Sequence, residues 1–407
     1  MLRRKFVVAL CALLLLGACA EGERPSVARE DLVFVRSDSG LAVLQVAGGG
    51  AGTLYARDGG VPTADWSTVI SADSQEVAGT HLVALDPASR EERWSLDVPG
   101  NHGVTVVSHD GNAAALSPYR QLHYSEGRAR TRLIVANGET GEMKDFDLAG
   151  NFEPEAFSTD LSSLFVISFT PPKAPKHYQV RRLDLASGKV EDVFTPHGEL
   201  QGTMGGSSRV QTANPDGTRL YTLYTVPGGK HGEDKAFVHV LDLQQQWAHC
   251  IDLPAEFYPS AGRATAITSA PDGRVFVVNA KTGALAELDP VGLSVGRSTT
   301  IEMPFGSSWS SAAADGETLY IARGTEAIAV AISTLAVEDR WTLDEKITGL
   351  QITPDGELLY LGLSNDLARL EIATGDIETI APSGIGKIRR FGPAPESVAI
   401  GNFTCAC

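Results

Sequence analysis

The stretch "TSAPDGRVFVVNA", Thr268–Ala280, decides the fold. Small and β-branched residues run into Pro-Asp-Gly, and a bulky apolar run follows. Asp-Gly between two apolar runs is the strongest short-range signal for a β-hairpin. Close relatives of the phrase recur as "VVSHDGNAAALSP" (106–118), "TANPDGTRLYTLYT" (212–225), "SAAADGETLYIAR" (311–323) and "ITPDGELLYLGLS" (352–364). The pattern places turns near Asp73, Asp110, Asp160, Asp216, Asp272, Asp315, Asp355 and Pro395, with Asp-Gly lacking at the first, third and last.

A second phrase alternates with the first. Examples are "VRRLDLASGKVEDVFTP" (180–196) and "LARLEIATGDIETIAPS" (367–383). Each reads as an apolar strand, a polar turn and an alternating strand. Two hairpins per roughly 40–50 residues is the repeat of a four-stranded propeller blade. The strand before each Asp-Gly is slim ("ATAITSA", "SSAAA") and the strand after it bulky ("VFVVNA", "LLYLGL"), as expected where inner strands crowd an axis. Seven blades are counted between Val69 and Ser383. The flanks "DLVFVRSDSGLAVLQVAGGGAGTLYA" and "IGKIRRFGPAPESVAIGNF" supply an eighth, shared by the two ends of the chain. The expected fold is all-β: one propeller of eight four-stranded antiparallel blades over residues 31–404, with seven blades as the alternative.

The second phrase carries a resemblance. Ala84-Leu85-Asp86-Pro87-Ala88-Ser89 with Trp94 resembles the outer-strand repeat of quinoprotein-type propellers, with Arg90 where that repeat has Gly. Asp184–Lys189 and Ala373-Thr374-Gly375 match the turn without the Trp. The chain as a whole resembles the bacterial YVTN, WD40-like and quinoprotein-like propellers. Those motifs report blade packing and leave function open.

The first twenty residues, "MLRRKFVVALCALLLLGACA", read as a secretory signal: three cations, an apolar run, then small residues. The run Phe6–Leu16 is shorter than the roughly 20 residues of a membrane-spanning helix. Leu16-Gly17-Ala18-Cys19 resembles the lipobox of bacterial lipoproteins, which implies cleavage after residue 18 and diacylglycerol on Cys19. Residues 19–30 then read as a lipidated tether, and the chain is expected at the cell envelope, anchored to a membrane and facing away from the cytoplasm. Loss of three cations takes the charge from −16 to −19, from 31 − 50. That acidity argues against nucleic-acid binding, which needs clustered cations.

Chemistry is sparser. No cofactor or metal site is expected. Glu155, Asn279, His102 and Arg263 are the polar residues that would serve a lactonase-like or quinoprotein-like enzyme at the channel mouth, though no spacing links them. His239 and His249 fall on adjacent strands and are expected to share a face, with Cys250 on the other; three or four converging ligands would be needed for zinc. Cys405 and Cys407 form a Cys-x-Cys tail (405–407) suited to a disulfide or a soft metal, with Cys250 a distant third partner. The long insertions "YRQLHYSEGRARTR", "TPPKAPKHYQ" and "VPGGKHGEDK" each join second to third strands, so they should gather on one face of the ring. They concentrate positive charge: Arg128, Arg130, Arg132, Lys173, Lys176 and Lys230 are the candidate partner-binding residues. The favoured function is a monomeric, membrane-tethered ring that binds a protein, glycan or small-molecule ligand on that face. An exported enzyme, or a metal-binding envelope propeller, is the alternative.

Overall fold

Seven Asp-centred hairpins and one strand pair closed by the chain ends build the ring. The computed structural model describes residues 32–37, 40–47, 50–57, 60–75, 79–204, 208–226, 235–258, 264–303, 310–382 and 388–391. They form eight four-stranded antiparallel sheets, with only two single-turn 3-10 helices, Tyr124–Glu126 and Ala255–Phe257. The signal and tether residues and the Cys-x-Cys tail lie outside the described residues, as does Pro395.

Blades are numbered from the chain start. Blade 6 is the plainest: Thr265–Ser269 innermost, then Val275–Asn279, Ala284–Asp289 and Ser294–Thr300 outermost. Burial follows the expected gradient. The second strand is buried at every position, whereas the outer strand is mostly exposed. Outer strands Glu92–Val98 of blade 2 and Ala336–Thr342 of blade 7 behave alike. Blade 4 departs from the slim inner strand: Asn151–Phe157 carries Phe152, Glu155 and Phe157, with a bulge between Pro154 and Ala156.

The hairpin turns are held by their aspartates. Asp355 Oδ1 accepts from Thr353 Oγ1 at 2.5 Å and from the Glu357 N–H at 3.0 Å. Gly356 follows at φ +74°, which a side chain rarely adopts. Blade 4 reaches the same geometry without glycine, placing Leu161 at φ +54° after Asp160. In the outer turn of blade 2, Arg90 takes the glycine position of the quinoprotein-type repeat, at φ +63°.

One turn lies elsewhere than expected. Asp73 sits inside the strand Val69–Gln75, which is the second strand of blade 2, not the first. The inner turn is Thr63–Ser67, where Asp65 accepts from Thr63 Oγ1 (2.7 Å) and the Ser67 N–H (2.9 Å). Its inner strand is only Val61–Pro62, and Trp66 holds the left-handed position at φ +56°. With two residues of strand and no glycine, nothing in the local pattern marks it.

Ring closure joins the chain ends. Blade 1 takes its inner strand from Ile388–Phe391 and its other three from Leu32–Ser37, Gly40–Ala47 and Gly50–Arg57. Among the described residues the inner pairing covers Val35, Arg36 and Ser37. Beyond it, Gln351 from the inner strand of blade 8 stands in for backbone. Its Oε1 accepts from the Phe34 N–H at 3.3 Å, and its Nε2 donates to the Leu32 carbonyl at 2.8 Å.

Candidate functional site

Antiparallel strands sort the loops by face. Turns from first to second and third to fourth strand emerge at one end of the ring; second-to-third loops and the links between blades emerge at the other. The Asp-Gly turns and the long insertions of blades 3, 4 and 5 therefore occupy opposite faces. In blade 3 the insertion joins Ala113–Pro118 to Arg130–Asn137; in blade 4 it joins Ser163–Thr170 to His177–Asp184. That of blade 5, with Lys230, lies outside the described residues.

The first two loops are bound to one another. Arg128 is 5% exposed, and its N–H donates to the Pro172 carbonyl at 3.0 Å. Its guanidinium donates to Asn151 Oδ1 (2.9 Å), the Phe152 carbonyl (2.6 Å) and Glu153 Oε1 (2.6 Å). Asn151 Nδ2 donates in turn to the carbonyls of Tyr124 (2.8 Å) and Pro172 (3.1 Å). Burial raises the Glu153 pKa above the usual carboxylate range despite the Arg128 charge. Arg128 is thus an internal clasp, not the outward docking residue expected from its loop position: the inner strand of blade 4 presents acceptors that draw it in.

A row of aromatic rings underlies the same face. Tyr124, fully buried, stacks on Phe169 with centroids 4.5 Å apart. The row continues through Tyr178 (6.2 Å), Tyr224 (5.6 Å) and Phe237 (5.1 Å), spanning blades 3 to 5. That they form a continuous row depends on blade order and was not legible locally.

The other cations divide. Arg130 is exposed and paired with Asp147 at 2.9 Å. Lys173 and Lys176 are exposed. Arg132 is exposed and, with Arg120, lines a cavity of about 630 Å³ at the edge of blades 2 and 3, together with Pro99, His102, Ile134 and Met143. Tyr119 and Leu122 stand exposed on the adjoining loop.

The axis is less rich in chemistry. An axial cavity of about 250 Å³ is lined by slim inner-strand residues, among them Thr268, Ser311, Ala313 and Gln351, with Asp65 at the turn face. His109 crosses that mouth, since a Cβ on Gly217 of blade 5 would meet its ring. Of the four candidate enzyme residues, the three described do not converge. Glu155 is buried in an ion pair with Arg209 and accepts from Gln211 Nε2 at 2.8 Å. Asn279 is buried at a strand end, donating to the Glu256 carbonyl at 3.3 Å. His102 belongs to the blade 2–3 groove. Arg263 lies outside the described residues.

The histidine register also differs from expectation. His239 pairs with Cys250, and His249 with Val240, so His239 and Cys250 share a face. His239 bonds Gln201 Nε2 between blades 4 and 5, and burial drives its pKa down to about 3. Burial pushes the Cys250 thiol up to about 12. The strand carries one residue fewer between turn and histidine than equal arms would need, which moves the pairing by one. Among the described residues no three His, Cys, Asp or Glu side chains are placed to hold a metal ion.

Comparison with known proteins places the fold. No family model matches, and no curated protein matches by sequence. Among solved structures, dihydro-heme d1 dehydrogenase NirN, determined in complex with DHE, aligns over 91% of this chain and 75% of its own at 13% identity, TM-score 0.51. Hydrazine synthase of Kuenenia stuttgartiensis aligns over 91% of this chain and 99% of its own at 14% identity, TM-score 0.45. At such identity the likeness concerns the propeller fold alone.

Proposed function

We propose that this chain is an exported, lipid-anchored propeller that binds a protein, glycan or small ligand on the ring face bearing the insertions of blades 3 to 5. The clasp centred on Arg128 carries the reading. It joins two loops that would otherwise be free, and the aromatic row holds them from beneath. Ordering a surface before binding lowers the entropy cost of association. The ordered face presents Arg120, Arg132, Lys173 and Lys176 on a chain of net charge −16, a local field opposite to the whole. The axial cavity is small, and Glu155 does not line it but is buried in an ion pair with Arg209, which gives the enzyme alternative no support of its own. The first eighteen residues and Cys19 support export and anchoring, since one acyl chain is marginal and two or more hold a soluble domain at a membrane.

Two measurements test this. A photo-crosslinking amino acid at Tyr119 should trap a partner in native membranes, while one at Val291, exposed on the opposite face, should not. Equal yields from both faces would refute the assignment of the face. Radiolabelled palmitate should enter the wild type and not Cys19→Ser; label in the variant would refute the anchor.

A further inference from the structure

The groove at the edge of blades 2 and 3 is built of unlike parts. Its apolar walls are Pro99, Pro118, Ile134 and Met143, the last 40% exposed. Its floor is fixed: Thr80 Oγ1 donates to the Gly100 carbonyl at 2.7 Å and accepts from the His102 N–H at 2.8 Å, which sets the link between the blades. Arg120 and Arg132 line the same space.

Most of the described arginines are paired. Arg128, Arg130, Arg181, Arg182, Arg209, Arg219, Arg274, Arg297, Arg340 and Arg369 all pair with a carboxylate. Arg120 and Arg132, like Arg90 and Arg93, have no ion pair among the described residues; Asp145 lines the same groove, and the charge of Arg132 reaches Asp147. In a chain with 50 acids and 34 bases, two such guanidinium groups sharing one cavity are an excess of positive charge against the general trend. Planar guanidinium groups match carboxylates by bidentate hydrogen bonding.

The groove lies beside exposed backbone and apolar surface. It is bounded by the outer strand Met143–Ala149, whose outward edge has no neighbouring strand among the described residues. On the adjoining loop, Tyr119 and Leu122 are 59% and 56% exposed. A free strand edge beside a groove is a surface to which extended peptides add. Asp145 opposes a run of acids and favours a single carboxylate among apolar side chains.

We propose that this groove receives an extended peptide segment of a partner protein, an aspartate or glutamate seated on Arg120 and Arg132 and flanking apolar side chains against Ile134, Met143 and the two prolines. The proposal rests on the loop-bearing face being the binding face and names the chemistry recognised there.

The test is selection of a displayed random heptapeptide library on the immobilised full chain, followed by anisotropy of the enriched peptides labelled with fluorescein. Enriched sequences should place Asp or Glu between aliphatic or aromatic residues. The double variant R120E/R132E should bind them at least about tenfold more weakly, and rising salt should weaken the wild type, as for rim charges that steer association. Arg90→Glu, an exposed arginine on the opposite face, should leave binding unchanged. No enrichment, peptides without acids, or equal binding by R120E/R132E overturns the proposal. Octanoate binding that needs both arginines while no peptide binds also overturns it, in favour of a small-carboxylate site. If crosslinking from Tyr119 survives in R120E/R132E, the binding face stands and only the peptide assignment falls.

Discussion

Gln351→Leu probes how the ring is closed. The substitution keeps side-chain size and removes both hydrogen bonds to blade 1. It leaves the Phe34 N–H and the Leu32 carbonyl without their amide partner, at residues 9% and 1% exposed. An unsatisfied buried backbone group costs about 1–3 kcal/mol. Two give about 2–6 kcal/mol, from which burial of a leucine in place of an amide recovers about 1–2 kcal/mol. The net loss is about 1–4 kcal/mol. With an unfolding entropy of about 2.1 cal/mol/K per residue, a chain of this length falls by about 1–5 °C in Tm. Because a propeller of eight blades need not unfold in two states, the decisive assay is local. Hydrogen exchange followed by mass spectrometry should show faster exchange in the peptide spanning Leu32–Ser37, with blades 5 and 6 unchanged. Unchanged exchange at Leu32–Ser37 together with a Tm within 1 °C of wild type, about the lower bound of that range, would refute the view that an amide side chain completes the inner edge of blade 1.

Three further outcomes follow from buried groups. Arg128→Met strands Glu153 and should cost about 3–5 kcal/mol, the range for breaking a buried pair; adding Glu153→Gln should recover part of it, as read by urea denaturation. His239 holds its neutral form in the fold, with a pKa near 3 against 6.5 when unfolded, so its contribution is intact above pH 6.5 and falls as pH drops toward 3. At pH 5 the loss should reach about 2 kcal/mol relative to pH 7, at about 1.4 kcal/mol per unit, and His239→Gln should flatten that slope in denaturation curves. Cys250, with its thiol near 12, should resist iodoacetamide at pH 8 in the native protein and react once urea unfolds it, as peptide mapping would show.

What the sequence by itself determined is the local and the repeated. An Asp-Gly turn between a slim and a bulky strand is specified within a dozen residues, because turn dihedrals and side-chain alternation need no distant partner. Its repetition implies a ring of eight blades shared between the chain ends. The same reasoning missed Asp65-Trp66, where a two-residue strand and a left-handed tryptophan leave no pattern to read. Tertiary structure decided everything that depends on contact between blades. Arg128 reads as a loop cation until Asn151 and Glu153 of the next blade draw it inward. His239 meets Cys250 only through strand register. Arg120 and Arg132 stand twelve positions apart, at the two ends of an insertion, and they share a groove because the link from blade 2 passes beside both. Ring closure brings Gln351 to Leu32 and Phe34 across nearly the whole chain, since cross-blade hydrogen bonds are set by the order of the blades in space and leave no trace in local periodicity.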